Sequence, residues 1–163
     1  MVVVIIIMGA AGAGKTTIGR ALAAALGWPF VDADDLHPAH NIEKMRAGVP
    51  LGDADRAPWI GTLRAIVERA IDRREHTVVA CSALKERDRH RLRAQLRPVR
   101  FVFLRADREL LERRLAERPS HFFGPALAAS QLADLEEPDD ALIVDAASPP
   151  HQILAAVRRE FGV

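Results

Sequence analysis

The sequence has 163 residues, of which 49% are hydrophobic and 28% charged, and its formal net charge is +1. This balance predicts one globular domain, and so small a net charge gives no reason to expect nucleic acid as a partner. The single cysteine, Cys81, excludes an intrachain disulfide framework and a multi-thiolate metal site. No stretch reaches the roughly 18–20 apolar residues of a membrane span, and the apolar N-terminus lacks a basic leader, so a cytoplasmic protein is expected.

Strand-like and helix-like segments alternate along the whole chain. A β-branched run at the N-terminus is typical of a central parallel strand that is buried on both faces. The predicted elements, in chain order, are strand Val2–Met8, helix Ile18–Leu26, strand Pro29–Asp32, helices Ala39–Ala47 and Pro58–Arg74, strand His76–Cys81, helix Leu84–Leu96, strand Val99–Leu104, helix Arg108–Arg118, strand Leu142–Asp145 and helix Pro150–Phe161.

This alternation predicts an α/β fold with three layers, in which a five-stranded parallel sheet carries helices on both faces. The sequence contains no linker, so residues 1–163 are expected to form a single domain. Ligands of such folds bind beyond the carboxyl ends of the strands. A functional residue should therefore follow a strand closely.

A glycine-rich loop follows the first predicted strand and precedes the first predicted helix. Residues 9–16 fit the pattern G-x-x-x-x-G-K-[ST], whose backbone N–H groups surround a β-phosphate at a helix N-terminus. In such loops the lysine reaches the β- and γ-phosphates and the threonine hydroxyl binds Mg²⁺. The pattern predicts binding of a nucleoside triphosphate, but it does not choose between a GTPase, an ATPase and a kinase. The predicted nucleotide-binding residues are Gly9, Gly12, Ala13, Gly14, Lys15, Thr16 and Thr17.

Three aspartates follow the second predicted strand, at the same edge of the sheet as the loop. Such acids can hold Mg²⁺ or accept the proton of an attacking hydroxyl, although turn and helix-cap roles are the ordinary alternative. The third strand ends in the segment 81–85 (CSALK), which has no Walker-B carboxylate. We therefore predict Asp32 and Thr16 as metal ligands and Asp34 as the catalytic base, and we assign Asp35 to the turn.

Longer motifs in the middle of the chain resemble the gluconate kinase family, and the match runs from the loop almost to the C-terminus. The segments that carry it are 34–38 (DDLHP), 41–45 (NIEKM), 48–51 (GVPL), 53–59 (DADRAPW), 81–85 (CSALK), 121–123 (HFF) and 130–138 (SQLADLEEP). The resemblance implies ATP:gluconate 6-phosphotransferase activity with Mg²⁺, on a fold similar to nucleoside monophosphate kinases and shikimate kinase. It also implies a cytoplasmic homodimer.

A sugar acid offers one carboxylate and several hydroxyls, so its pocket needs cations and mixed hydrogen-bonding groups. The segment at about 35–75 supplies both, and the resemblance makes it the acceptor-binding region. Each side chain alone has a simpler interpretation as a turn, surface or ion-pair residue. The predicted substrate-binding residues are Asp34, His37, Asn41, Lys44, Arg56, Ser82, Lys85 and His121.

Arginines near the end of the fifth predicted helix are candidates for stabilising the transferring phosphoryl group. We predict Arg114 and Arg118 as catalytic together with Lys15, and a lid at about 116–130 that excludes water. The alternative is that these arginines lie on a solvated helix face. For the adenine pocket, the sequence suggests only the 145–148 loop and Pro149.

Two other classes of function remain at this stage. A GTPase-like switch would need an N-K-x-D signature after a late strand, but the fourth strand leads into Arg105-Ala106-Asp107. A regulatory ATP-binding protein without transfer activity stays open. Among kinases, a shikimate kinase-like or nucleotide kinase activity is the second choice.

Overall fold

The computed structural model describes residues 1–118 and 126–163. Five strands form one sheet in the order β2-β3-β1-β4-β5, and every pairing is parallel. The predicted parallel sheet is therefore confirmed, with each strand within two residues of its expected bounds. The strands are β1 (Val4–Met8), β2 (Phe30–Asp32), β3 (Thr77–Ala80), β4 (Val99–Arg105) and β5 (Leu142–Asp145).

Helices cover both faces of this sheet. On β1, Ile5 and Ile7 point into one apolar cluster, and Val4, Ile6 and Met8 point into a second cluster on the opposite face. This alternation on a fully buried strand produces the three predicted layers. The helices are α1 (Lys15–Leu26), α2 (Ala39–Arg46), α3 (Asp53–Asp72), α4 (Glu86–Arg93), α5 (Arg108–Ala116), α6 (Ala126–Asp134) and α7 (Pro150–Phe161), with a 3-10 helix at Ala33–Leu36.

Two helices differ from the sequence prediction in ways that affect the site. Helix α3 begins at Asp53 rather than Pro58, because the Asp55 carboxylate accepts a hydrogen bond from Gly52 N at 2.9 Å and caps the earlier turn. Helix α6 was not predicted at all. No helix in the two described ranges is long and apolar enough to cross a membrane.

The sheet register brings the predicted functional segments to one edge. Asp32 pairs with Ala80, Ala80 pairs with Ile7, and Met8 pairs with Phe103. The chain continues from these positions into the 3-10 helix, the 81–85 segment and the glycine loop. All three segments therefore meet at the carboxyl ends of the strands, as the sequence predicted.

Candidate active site

The glycine loop joins β1 to α1 and leaves the first turn of the helix without a side-chain cap. Gly12 and Gly14 have φ angles of 87° and 98°, which side chains rarely adopt. A Cβ at Gly12 would also lie 3.0 Å from the carbonyl oxygen of Leu111. The amides at the start of α1 have no side-chain cap, which is the arrangement that an anion site at a helix N-terminus requires.

The Lys15 side chain lies folded against this loop. Its ammonium group donates a hydrogen bond to Ala10 O at 3.0 Å. Burial lowers the pKa of Lys15, an effect that the nearby Asp34 carboxylate opposes and the Arg118 guanidinium reinforces. The lysine, the predicted base and one predicted lid arginine thus lie within electrostatic reach of one another.

The two predicted metal ligands are in direct contact. Thr16 Oγ1 donates a hydrogen bond to Asp32 Oδ2 at 2.7 Å, next to the start of α1. Asp32 Oδ1 accepts from Asp34 N at 3.0 Å and caps the 3-10 helix. One hydroxyl and one carboxylate beside a phosphate site suit Mg²⁺, which takes few protein oxygens and completes its shell with phosphate and water.

Asp34 is presented by the 3-10 helix, because β2 ends two residues earlier. Burial raises its pKa to about 6, although the Lys15 ammonium opposes this shift. His37 Nε2 lies 3.9 Å from Asp34 Oδ1. A half-buried carboxyl group with a pKa near neutrality, beside a phosphate loop, has the properties that a general base requires.

The His37 ring is held in one orientation and one protonation state. It stacks on Trp59 with ring centroids 4.2 Å apart, and burial lowers its pKa to about 4. Asn41 Nδ2 lies 3.2 Å from His37 Nδ1, and because an amide NH₂ only donates, Nδ1 must accept. The proton of the neutral ring is therefore on Nε2, which faces Asp34.

Asn41 and Lys44 occupy different places from those predicted. Asn41 is fully buried behind His37 and also donates to Asp55 O at 3.0 Å, so it orients the histidine and does not line the cavity. Lys44 binds both carboxylate oxygens of Asp55, at 2.8 and 3.0 Å. It joins α2 to α3, because the early start of α3 places Asp55 within its reach.

A cavity opens beside Asp34 and contains most of the predicted acceptor residues. Asp34, His37, Arg56 and Ser82 line it, together with Trp59 and the inner side of α6. A wider cavity adjoins it, and Lys85 and Arg56 line that one. The structure therefore groups five of the eight predicted substrate-binding residues, whereas His121 lies outside the described residues, as do Phe122 and Phe123 of the same motif.

Arg114 is bound to the glycine loop and does not line the cavity beside Asp34. Its guanidinium donates to Gly12 O at 3.4 Å, Ala13 O at 3.1 Å and Ala146 O at 2.8 Å. A separate cavity lies next to these contacts. It is lined by Ala13, Gly14, Thr17, Arg114, the exposed Arg118, Ala146, Ser148 and Pro150, among others. The 145–148 loop suggested by the sequence thus borders a cavity next to the phosphate site.

Sequence reasoning missed three residues that shape the site. Gln131 Oε1 accepts from Ala11 N in the glycine loop at 2.7 Å. The buried Arg89 donates to the carbonyls of Ala83 and Leu84, at 2.9 and 3.0 Å, and holds a segment in which Ala83 has a φ of 44°. Asp134 contacts both acceptor-site cations. Gln131 and Asp134 lie in the 130–138 motif, but nothing in their types signalled these contacts.

The parallel sheet, the phosphate loop and the adjacent acid-lined cavity define a P-loop kinase of small molecules. The profile of an AAA-domain family matches residues 4–138. The chain is 39% identical to the gluconokinase of Gluconobacter oxydans (strain 621H) over 160 residues, which cover 96% of this chain and 90% of that protein. The chain belongs to the gluconokinase family.

Solved structures are similar over nearly the whole chain. A gluconokinase from Sinorhizobium meliloti 1021 is 40% identical with a TM-score of 0.84, covering 97% of this chain and 93% of that chain. An unliganded sugar kinase from Janibacter sp. HTCC2649 is 35% identical with a TM-score of 0.93, covering 100% and 96%. These similarities confirm the fold class and the family that the sequence motifs indicated.

Proposed function

We propose that the protein is an ATP-dependent gluconokinase, which transfers the γ-phosphoryl group of ATP to the 6-hydroxyl of D-gluconate and yields 6-phosphogluconate. The observation that carries this proposal is the position of Asp34. It lies beside Lys15 of the phosphate loop and lines the same cavity as Arg56. One carboxylate thus stands between a triphosphate site and a cation able to bind a sugar acid.

The nucleotide is held by the loop amides and by Lys15, which exchanges its hydrogen bond to Ala10 O for the phosphates. Thr16 and Asp32 would hold Mg²⁺, which would supply neutralisation of phosphate charge there. Arg114 and the 145–148 loop border the space proposed for the nucleoside, and Arg118 is proposed to stabilise the transferring group. Whether these arginines act directly in catalysis stays a prediction.

The acceptor is oriented by its two ends. Arg56 and Lys85 bind the carboxylate, and the Nε2 proton of His37 and the Ser82 hydroxyl are available to the polyol. The 6-hydroxyl, at the other end of the carbon chain, is placed at Asp34. As its oxygen bonds to the γ-phosphorus, its proton passes to Asp34, the bond from the γ-phosphorus to the β,γ-bridging oxygen breaks, and ADP leaves.

The proposal also includes the lid at about 116–130 and a cytoplasmic homodimer, both implied by the family resemblance. Residues 119–125 of this lid lie outside the described residues, and its proposed role is to exclude water from the transfer. Sedimentation equilibrium of the purified protein measures the oligomeric state, and a monomer would contradict that part of the proposal.

The test measures ADP release by the purified protein with Mg²⁺-ATP and a panel of acceptors. We expect turnover with gluconate, and none above background with shikimate, nucleoside monophosphates or no acceptor. Asp34→Asn should lower kcat at least about 100-fold and leave ATP binding within twofold, because general-base contributions are of this order.

The matched control is Asp35→Asn, which removes the same charge from the neighbouring, exposed residue. It should keep wild-type turnover. Turnover with another acceptor would contradict gluconate as the substrate, and ATP binding without any acceptor-dependent turnover would contradict a kinase.

A further inference from the structure

One carboxylate of the protein itself already bridges the two cations assigned to the acceptor. Asp134, the last residue of α6, places Oδ1 3.3 Å from Lys85 Nζ and Oδ2 3.4 Å from Arg56 Nη1. The two cations come from different elements, since Arg56 lies in α3 and Lys85 precedes α4. A single side chain from a third element therefore connects them.

This bridge lies within the cavity wall and is accessible from the cavity. Asp134 lines the acceptor cavity and the adjoining wider one, as does Arg56. The side chain of Asp134 is 33% exposed, whereas those of Arg56 and Lys85 are 13% and 23% exposed. An incoming acceptor can therefore reach the carboxylate, and the carboxylate is not fixed by burial.

We propose that Asp134 is an internal competitor of the acceptor carboxylate, which an anionic acceptor displaces from Arg56 and Lys85 when it binds. This inference rests on the proposed function, because it takes gluconate as the acceptor. Asp134 presents the same chemical group to the same two cations, so both carboxylates cannot hold them in the same geometry.

Arg56 has another carboxylate, that of Asp88, to which it can move when Asp134 is displaced. Arg56 Nε and Asp88 Oδ1 are buried and have no hydrogen-bond partner among the described residues, although Nε lies only 3.9 Å from Asp88 Oδ2. A short movement toward Asp88 Oδ2 would give Arg56 Nε a hydrogen-bond partner. A buried donor without a partner is costly, so this position is favourable for Arg56. Arg56 Nη2 also lies 3.1 Å from Asp53 Oδ1, so Arg56 keeps an ion-pair partner when Asp134 leaves.

Lys85 also keeps a partner when Asp134 leaves. Glu136 Oε1 lies 3.9 Å from Lys85 Nζ, and backbone bonds hold Glu136 against the same segment, with Glu136 N donating to Leu84 O at 2.9 Å. Displacing Asp134 therefore uncovers two cations without leaving either of them isolated. The exchange suits a ligand that brings its own carboxylate.

This arrangement makes Asp134 a specificity-determining residue. An anionic acceptor replaces the two ion pairs that it breaks, whereas a neutral polyol cannot replace them and has to bind with Asp134 in place. Removing the charge of Asp134 should therefore tighten binding of a sugar acid and leave binding of the corresponding neutral polyol unchanged. Partly exposed ion pairs are individually weak, so the expected gain is about three- to tenfold.

The experiment compares the wild type with Asp134→Asn, and with Asp134→Ser as a second neutral replacement. The readouts are kcat and KM for gluconate at saturating ATP, and the inhibition constant of D-glucitol, which has a hydroxymethyl group where gluconate has its carboxylate. Asp139→Asn is the matched control, because it removes the same charge from an exposed residue five positions after Asp134.

We expect both Asp134 variants to lower KM for gluconate about three- to tenfold, with kcat and the glucitol constant within twofold of the wild type. A higher or unchanged KM in a folded variant would contradict the competitor role, since Asp134 would then orient the cations or bind the acceptor. An equal gain for glucitol, or for Asp139→Asn, would contradict it too. Absence of gluconate turnover in the wild type would instead contradict the proposed function itself.

Discussion

At the residue scale, folding shifts the pKa values of Asp34 and His37 in opposite directions. The pKa of Asp34 is raised to about 6 from 3.8, so between these values the folded protein holds a proton that the unfolded chain has lost. The pKa of His37 is lowered to about 4 from 6.5, so there the unfolded chain holds the extra proton. Both shifts arise mainly from burial of the charged form.

The two residues should therefore have opposing effects on stability between about pH 4 and pH 6. Asp34 makes the free energy of unfolding fall as the pH rises through this window, and His37 makes it rise, each by about 1 kcal/mol per pH unit. In the wild type these contributions nearly cancel. Relative to it, Asp34→Asn should gain stability with rising pH, and His37→Gln should lose it.

Urea unfolding at pH 4.5 and 5.5 measures both effects. The slope is the change in the free energy of unfolding per pH unit. Titrating groups that the wild type and both variants share contribute equally to it, so the difference in slope between a variant and the wild type reports the substituted residue. Equal slopes in the wild type and both variants would contradict the shifted pKa values of Asp34 and His37.

At the element scale, α6 connects the acceptor cavity to the phosphate loop. The carboxamide oxygen of Gln131 accepts the Ala11 N–H at 2.7 Å, and Asp134 lies almost one turn further along the same helix. The loop amide is partly buried, so without Gln131 it would lack a partner in a place that water reaches poorly. The helix thus stabilises the loop from the acceptor side.

Gln131→Leu should lower the free energy of unfolding by about 1–3 kcal/mol, the usual cost of an unpaired buried donor. Because the loop would lose its anchor, KM for ATP should rise more than KM for gluconate. Urea denaturation and steady-state kinetics measure the two effects. Gln152→Leu, on the exposed side of α7, is the control, and equal behaviour of the two variants would contradict an anchoring role.

The elements that the sequence predicted well are those with a strong local signal. The β-branched run of β1 and the glycine pattern after it indicated the sheet and the nucleotide site without knowledge of distant contacts. The start of α3 was placed too late, because Pro58 suggests a helix start, whereas the cap from Asp55 to Gly52 moves the start five residues earlier. This shift brings Asp55 to Lys44 and removes the lysine from the acceptor cavity.

The contacts that the sequence could not predict join residues far apart in the chain. Asp134, in α6, meets Lys85, which follows β3, and Arg56, in α3, only through tertiary packing. The burial of Asn41 behind His37 likewise depends on α3 packing over α2. Residue types at these positions indicate a polar site, and only tertiary packing decides which side chains face the ligand.

At the scale of the whole molecule, the parallel sheet places the phosphate loop and the acceptor cavity next to each other. The phosphate loop follows the central strand β1, and β3 beside it leads into the 81–85 segment. The cavity proposed for the nucleoside is lined by the glycine loop, α5 and the 145–148 loop, and the cavity proposed for the acceptor is lined by α3, α6 and the segment after β3. Asp34 lines the acceptor cavity within electrostatic reach of Lys15 in the loop, so transfer should occur there.

We infer that gluconate binds by its carboxylate at Arg56 and Lys85 and is phosphorylated at its far end. Phosphorus–proton NMR of the product formed from ATP and gluconate tests this claim most directly. We predict one new phosphomonoester signal coupled to the two C6 protons. A phosphate coupled to a single C–H proton, an acyl phosphate, or inorganic phosphate alone would contradict it.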